Sequence, residues 1–273
     1  MILDCHIHIA KVAEDREGFA RSLRAAGVDG GCVISLPPAS FKEVAPSAPL
    51  EERLDNLFRW CEAGENRYPM YWVDPLEADA LDQVDAAVKR GVAGFKVICD
   101  RFFPGDERAM PVYQAIADAG RPILFHSGIL WDGKPSAMYN RPGGFEALLE
   151  VRGLRFCLAH ISWPWCDELV AVYGKFLNAR ARRKGLDVEM FIDTTPGTPR
   201  IYRREALTKL FTVGYNVARN VLFGSDGHAS DYNAERVRER LEYDAQIFAE
   251  LGLDKETIEG VQGENLKRFL GLT

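Results

Sequence analysis

The stretch that decides the fold is MILDCHIH, residues 1–8, in which a short apolar run leads into two histidines. Side chains at alternate positions of a β-strand point to the same face, so His6 and His8 can bind one metal ion together. An isolated pair of this kind is more often structural than metal-binding. The rest of the chain must therefore decide its meaning.

Three later apolar runs also end at, or directly before, a residue that can bind metal: His126, His160 and Asp226. Four of the five histidines end such runs, and the fifth, His228, lies two residues after Asp226. Structural histidines have no reason to repeat this placement. The joint pattern predicts a single metal site assembled from distant parts of the chain.

The fold follows from the alternation of these runs with segments of helical periodicity, some of which end at glycines suited to helix C-caps, such as Gly27 and Gly91. Eight strand-helix units predict a (β/α)₈ TIM barrel, an α/β fold in which the C-terminal strand ends share one rim. We expect a single barrel domain over residues 1–273, without an added β-sandwich; a doubly wound open sheet is the alternative. The predicted strands are residues 2–8, 29–36, 69–73, 92–98, 122–126, 155–160, 188–193 and 220–225.

Composition narrows the class of protein. The 273 residues include 34 basic and 40 acidic ones, a formal net charge of -6 without any basic block, which argues against nucleic acid as a partner. The sequence has neither a signal-peptide pattern nor an apolar run long enough to span a membrane. We therefore expect a cytoplasmic protein with no membrane partner.

The six cysteines form no Cys-x-x-Cys pair, which indicates reduced, structural thiols. Three of them, Cys5, Cys99 and Cys157, are out of phase with the neighbouring site residues in regular strands. They are expected to face the helices.

Lys96 interrupts the apolar fourth strand, and a buried lysine must be paired, neutral or modified. It could pair with an inward carboxylate, or form a carbamate that bridges two metals. His228 could reach the site from the loop after the eighth strand. For Lys96 and His228 the sequence leaves two alternatives: each is an additional metal ligand, or each contacts the residues that bind the metal.

Five residues in the rim loops are candidates for substrate binding. Trp131 and Tyr139 follow the fifth strand, Trp163 follows the sixth, and Arg101 and Arg200 follow the fourth and seventh. The two arginines could bind a substrate carboxylate through bidentate hydrogen bonds. An ordinary solvated position at a helix start is the simpler alternative for either one.

The ordered motifs resemble the amidohydrolase superfamily, and more narrowly its amidohydrolase-related (amidohydrolase 2) branch of compact metal-dependent barrels. The similarity covers essentially the whole chain and rests on His6-x-His8, Gly94-Phe-Lys96, His126, His160, Phe223-Gly-Ser-Asp226 and the closing segment 264–270. One departure is Ile98, where many relatives carry a histidine. That difference weakens any inference from the fourth strand.

The resemblance implies that His6, His8, His126 and Asp226 ligate one divalent metal, with His160 beside it as a catalytic residue or a second ligand. Three imidazoles and a carboxylate suit zinc best, although manganese, iron, cobalt and nickel accept the same donors, and two ions rather than one stay open.

These residues predict a metal-dependent hydrolase that cleaves an amide, ester or lactone bond of a small molecule through a metal-activated water, with Asp226 accepting the proton and His160 stabilising the oxyanion. A carboxylate on the substrate is one option. The alternatives are a non-oxidative decarboxylase on the same scaffold and a catalytically inactive metal-binding barrel. A homo-oligomer is compatible with the sequence.

Overall fold

The computed structural model of the protein describes residues 1–11, 15–42, 46–62 and 64–272. At its centre is a nine-stranded sheet in which β1 to β8 are neighbours in chain order, all parallel, and β9 lies on the other side of β1. The strands are β1 (Leu3–His8), β2 (Gly30–Ile34), β3 (Arg67–Trp72), β4 (Gly94–Val97), β5 (Ile123–Phe125), β6 (Arg155–Leu158), β7 (Glu189–Asp193), β8 (Val221–Leu222) and β9 (Gly227–His228).

The two edges of this sheet meet, which closes the barrel. Cys5 N donates to Phe223 O, directly after β8, at 2.9 Å, and β9 then pairs with Ile7 and His8 of β1. The barrel prediction is confirmed, and the open-sheet alternative is wrong. The predicted eighth strand, residues 220–225, is shortened to β8, and β9 begins beyond it, after Asp226, whose φ of 55° interrupts the extended backbone.

Helices surround the barrel. Most connections between successive strands of β1 to β8 contain one α-helix, the connection from β5 to β6 contains 3-10 segments instead, and three helices follow β9. The α-helices are α1 (Arg16–Ala26), α2 (Leu50–Glu62), α3 (Ala80–Arg90), α4 (Met110–Asp118), α5 (Cys166–Arg182), α6 (Arg200–Thr212), α7 (Ala234–Glu250), α8 (Lys255–Glu259) and α9 (Asn265–Leu270). Gly27 and Gly91 cap α1 and α3 in the left-handed conformation, as predicted. No helix among the described residues is long and apolar enough to span a membrane.

Two apolar cores flank the strands because successive side chains alternate. In β4 and β5, for example, Phe95 and Phe125 pack in the larger core between barrel and helices, whereas Leu124 packs in the smaller core inside the barrel. Leu266 and Phe269 of α9 belong to the inner core, and Phe269 contacts Phe191 with ring centroids 5.0 Å apart. Helix α9 thus closes the N-terminal end of the barrel and leaves the C-terminal end open.

The six cysteines are free thiols, and Cys99 packs on the helix side as expected. The same expectation is wrong for Cys5 and Cys157, which both lie in the inner core. The strict alternation of side chains between the two faces of a strand fails near both cysteines. A β-bulge in β1 sets Cys5 and His6 against the single Cys32 of β2, and the backbone turns left-handed at His160.

Candidate metal centre

The metal-competent side chains meet at the open end of the barrel. His6 and His8 lie at the end of β1, His126 follows β5 directly, His160 lies two residues after β6, and Asp226 separates β8 from β9. These positions are up to 220 residues apart in sequence. The barrel brings them together because its parallel strands all end at one rim.

Asp4 holds the β1 bulge that presents His6. Its Oδ1 accepts hydrogen bonds from His6 N at 3.0 Å and from Ser225 N at 2.9 Å, and its Oδ2 accepts one from the Tyr232 hydroxyl at 2.8 Å. The carboxylate thereby joins β1 to the loop that carries Asp226. Burial raises the pKa of Asp4 to about 6, against the hydrogen bonds that lower it.

Unusual backbone conformations present two more of the side chains. His160, Ile161 and Ser162 form a left-handed turn with φ of 64°, 47° and 51°, and Asp226 also has positive φ. Non-glycine residues in this region are strained and are often found at functional sites. Gly197 makes room for the turn, since a Cβ there would lie 2.5 Å from His160 Cβ.

The donor atoms converge closely. His6 Nε2 lies 3.0 Å from His8 Nε2, and Asp226 Oδ1 lies 3.5 Å from the first nitrogen and 3.4 Å from the second. Ligand atoms of His6, His160 and Asp226 all lie within 4.8 Å of one another. The His126 ring is next to that of His160, with centroids 4.9 Å apart.

Asp193, at the end of β7, orients two of these histidines and was missed by the sequence analysis. His6 Nδ1 donates to Asp193 Oδ2 at 2.8 Å, and the Thr195 hydroxyl donates to the same oxygen at 3.1 Å. Thr195 Oγ1 also lies 2.6 Å from His160 Nδ1, a contact in which either atom can be the donor. The Nδ1 proton is assigned to His6 alone, which leaves His6 Nε2 as a free acceptor aimed at the centre.

Burial keeps the histidines neutral. It lowers the pKa of His6 and His126 well below the usual range and that of His160 to about 4. Burial alone would raise the pKa of Asp226, but nearby His6 and the hydrogen bond with His8 hold it well below its ordinary value. Neutral imidazoles beside an ionised carboxylate are the protonation states that a metal ion requires.

Lys96 reaches the same centre from β4. Its side chain is buried and Nζ lies 3.3 Å from His6 Nε2. Burial lowers the pKa of Lys96 to about 8, although the carboxylates of Asp226 and Asp193 oppose this shift. The lysine therefore lies where it can contact a metal ligand or a bound ion.

The residues present fit a divalent metal. His126 Nε2 is buried and has no hydrogen-bond partner, which is costly for a neutral imidazole unless something else binds it. Imidazole nitrogens and a carboxylate oxygen are preferred donors for zinc and similar ions. A metal among His6, His8, His126, His160 and Asp226 would satisfy that nitrogen and offset the repulsion between the converging lone pairs.

A cavity of about 830 Å³ opens above this centre. Of the predicted substrate-binding residues, Trp131 and Trp163 line it, and so does His228, whose ring centroid is 6.2 Å from that of His8. The volume lies within the range of pockets that enclose small molecules.

The other three predicted substrate-binding residues, Arg101, Tyr139 and Arg200, are not among the described residues that line the cavity. Arg101 instead forms ion pairs with two carboxylates. Its Nη2 lies 2.5 Å from Asp74 Oδ2, and its Nη1 lies 2.8 Å from Asp100 Oδ1. Tyr139 packs against Phe103, and Arg200 stacks on Tyr243. Each of these side chains is thus held by a partner from a neighbouring loop or helix.

Three other lining residues were missed. Trp72 ends β3 beside His8, with ring centroids 5.8 Å apart, and its buried Nε1 has no partner. Arg236 and Arg240 line the cavity from α7. Asp193 and Trp72 both end apolar strands, so the rule that identified His126 could have found them. No local signal distinguishes the two arginines from other charges on α7.

The family model described as amidohydrolase matches residues 3–272, and the chain belongs to this family. The recognition from sequence motifs is thereby confirmed. Members of the family are enzymes that act on small molecules and typically bind divalent metals. No curated protein matches the chain in sequence.

Solved structures with the same fold cover almost the entire chain. A 2,6-dihydroxybenzoate decarboxylase from Rhizobium has a TM-score of 0.61 at 13% identity, with 99% of this chain and 98% of the other covered. A dihydroorotase from Campylobacter jejuni gives 0.62 at 14%, covering 100% and 83%. A putative amidohydrolase from Staphylococcus aureus gives 0.63 at 10%, covering 99% of each chain. At these identities the likeness establishes the fold.

Proposed function

We propose that the protein is a metal-dependent hydrolase that cleaves an amide, ester or lactone bond of a small molecule, that its metal is zinc and that it acts in the cytoplasm. One observation carries the proposal: His6 Nε2, His8 Nε2 and Asp226 Oδ1 lie within 3.5 Å of one another beside the unpartnered Nε2 of His126. A divalent metal at this point would lower the pKa of a water to about 7 and polarise a carbonyl.

Asp226 would act as the general base. Its side chain is 36% exposed toward the cavity while its pKa is low, so it is ionised and accessible to a proton from the attacking water. The same carboxyl would then return the proton to the leaving amine or alcohol. It combines this role with holding the metal.

His160 would stabilise the negative charge that develops on the carbonyl oxygen by donating from Nε2, in the tautomer in which the Thr195 hydroxyl donates to its Nδ1. The Asp193–Thr195 network fixes its ring, and the left-handed turn directs it toward the centre. A group held in place before the reaction stabilises a transition state without a cost of reorientation. Trp72 Nε1, buried and without a partner, provides a further donor for a substrate oxygen.

The test is an assay of zinc-loaded protein against esters, lactones and amides, before and after removal of the metal with a chelator. Hydrolysis that disappears with the metal and returns on zinc addition supports the proposal. Release of carbon dioxide from 2,6-dihydroxybenzoate without hydrolysis would replace it with the decarboxylase alternative. Bound metal with no turnover of any substrate would favour the inactive barrel.

A further inference from the structure

The guanidinium of Arg240 lies in the wall of the cavity without a counter-ion. Arg240 extends from α7, the helix after β9, and lines the cavity with Val237 and Arg236, one turn before it. Its Nη1 is buried and has no hydrogen-bond partner. No carboxylate among the described residues lies within ion-pair distance of it.

The carboxylate that would ordinarily pair with Arg240 is already occupied. Asp244 lies one turn later on α7, where an i, i+4 ion pair would form. Arg203 of α6 binds it in bidentate fashion instead, with Nε 2.6 Å from Oδ1 and Nη2 2.5 Å from Oδ2. Arg203 is 2% exposed and also donates to Thr194 O, so this pair is fixed in the protein interior.

Burial and positive neighbours outweigh the attraction of the nearby carboxylates at Arg240. Burial lowers the pKa of Arg240 to about 10, and the neighbouring Arg203 and Arg236 add to this shift, against the attraction of Asp244 and Asp193. The guanidinium still carries its charge at neutral pH. A buried N–H group without a partner is costly, and a planar anion on the cavity side would supply the missing acceptor for Nη1.

We propose that Arg240 binds the carboxylate of the substrate, while Arg236 adds positive charge beside it. This inference rests on the proposed function, since it names the substrate class of the same site. It places the anion-binding subsite on α7 rather than on Arg101 or Arg200, whose side chains are held elsewhere. A guanidinium suits a carboxylate because two N–H groups match its two oxygens.

The test is calorimetric titration of the zinc-loaded protein with benzoate, phenyl phosphate and benzamide. The variants are Arg240→Met, Arg240→Lys and, as the matched control, Arg238→Met, which removes an exposed arginine of the same helix outside the cavity lining. Thermal unfolding and zinc content of each variant show whether the fold and the metal site persist.

Loss of one charge-assisted contact is expected to weaken benzoate binding by about tenfold or more in Arg240→Met. Arg240→Lys should retain part of the affinity, Arg238→Met all of it, and benzamide should bind wild type and Arg240→Met equally. Equal benzoate affinity in wild type and Arg240→Met overturns the proposal, as does equal weakening of benzoate and benzamide. Dependence on Arg240 for phenyl phosphate alone overturns the carboxylate assignment.

The titration needs no turnover, so its outcome is separate from that of the hydrolase assay. Benzoate binding through Arg240 in a protein that hydrolyses no substrate would support the subsite and contradict the proposed reaction. Metal-dependent hydrolysis together with benzoate binding that does not depend on Arg240 would support the proposed reaction and contradict the subsite.

Discussion

The two ends of the barrel interior are built from the same strands but have opposite chemistry. At the N-terminal end, inner side chains such as Leu3, Met70 and Phe191 are apolar and covered by α9. At the C-terminal end the strands finish in histidine, aspartate and lysine beneath an open cavity. The closed end can only stabilise, whereas the open end can hold polar groups whose partners come from outside.

This difference predicts that substitutions at the two ends affect different properties. The largest effect is expected for Asp226→Asn, which removes both the proposed general base and a metal-competent oxygen. We expect kcat/KM to fall by about 10³-fold or more. Asp231→Asn is the control, because Asp231 lines the same cavity outside the cluster. Comparable losses in both variants would contradict the role of Asp226.

At the closed end, Phe269→Ala should lower stability without changing the chemistry. The ring is 1% exposed and packs on Phe191, so its removal leaves a cavity that costs about 3–5 kcal/mol in the free energy of unfolding. Chemical denaturation measures this loss. The metal content and kcat/KM of the folded protein should equal those of wild type, and a fall in either would break the separation between the two ends.

Asp193→Asn is expected to have an intermediate effect on activity. Asp193 Oδ2 accepts hydrogen bonds from His6 Nδ1 and the Thr195 hydroxyl, and a neutral amide accepts them more weakly. Loss of such a partner typically lowers metal affinity or activity 10–100-fold. Zinc titration and steady-state kinetics measure the two quantities. Wild-type behaviour in both would show that the network does not hold the histidines.

Thr195→Val should give the smallest effect, because only the link to His160 is lost while Asp193 still accepts from His6. One neutral hydrogen bond corresponds to about a fivefold fall in kcat. Zinc affinity should not change. A fall as large as that of Asp193→Asn would mean that the hydroxyl, not the carboxylate, organises the centre.

The sequence predicts the barrel and the rim residues because both follow from a repeated rule, an apolar strand that ends in a polar residue. The same rule would have included Asp193, but a single aspartate after a strand carries less signal than a histidine. It fails for Cys5 and Cys157, where a bulge and a left-handed turn change which face a residue occupies. Backbone irregularities of this kind depend on tertiary contacts, such as those of Asp4 and Gly197.

The choice of arginines also depends on tertiary structure. Arg101 and Arg200 follow strands and so were plausible substrate ligands, yet nearby carboxylate and aromatic groups hold them. Arg240 lies in the middle of a charged helix, and only the capture of Asp244 by Arg203 leaves it free of a partner. Competition among charges cannot be read from spacing along the chain.

The most direct test of the metal centre is elemental analysis of the purified protein, of the His6→Ala/His8→Ala variant and of His160→Asn. We predict at least one divalent ion per chain in wild type, none together with no turnover in the double variant, and retained metal with lost turnover in His160→Asn. A wild-type protein that takes up no divalent metal from zinc-containing buffer, or a double variant that keeps it, would contradict the account.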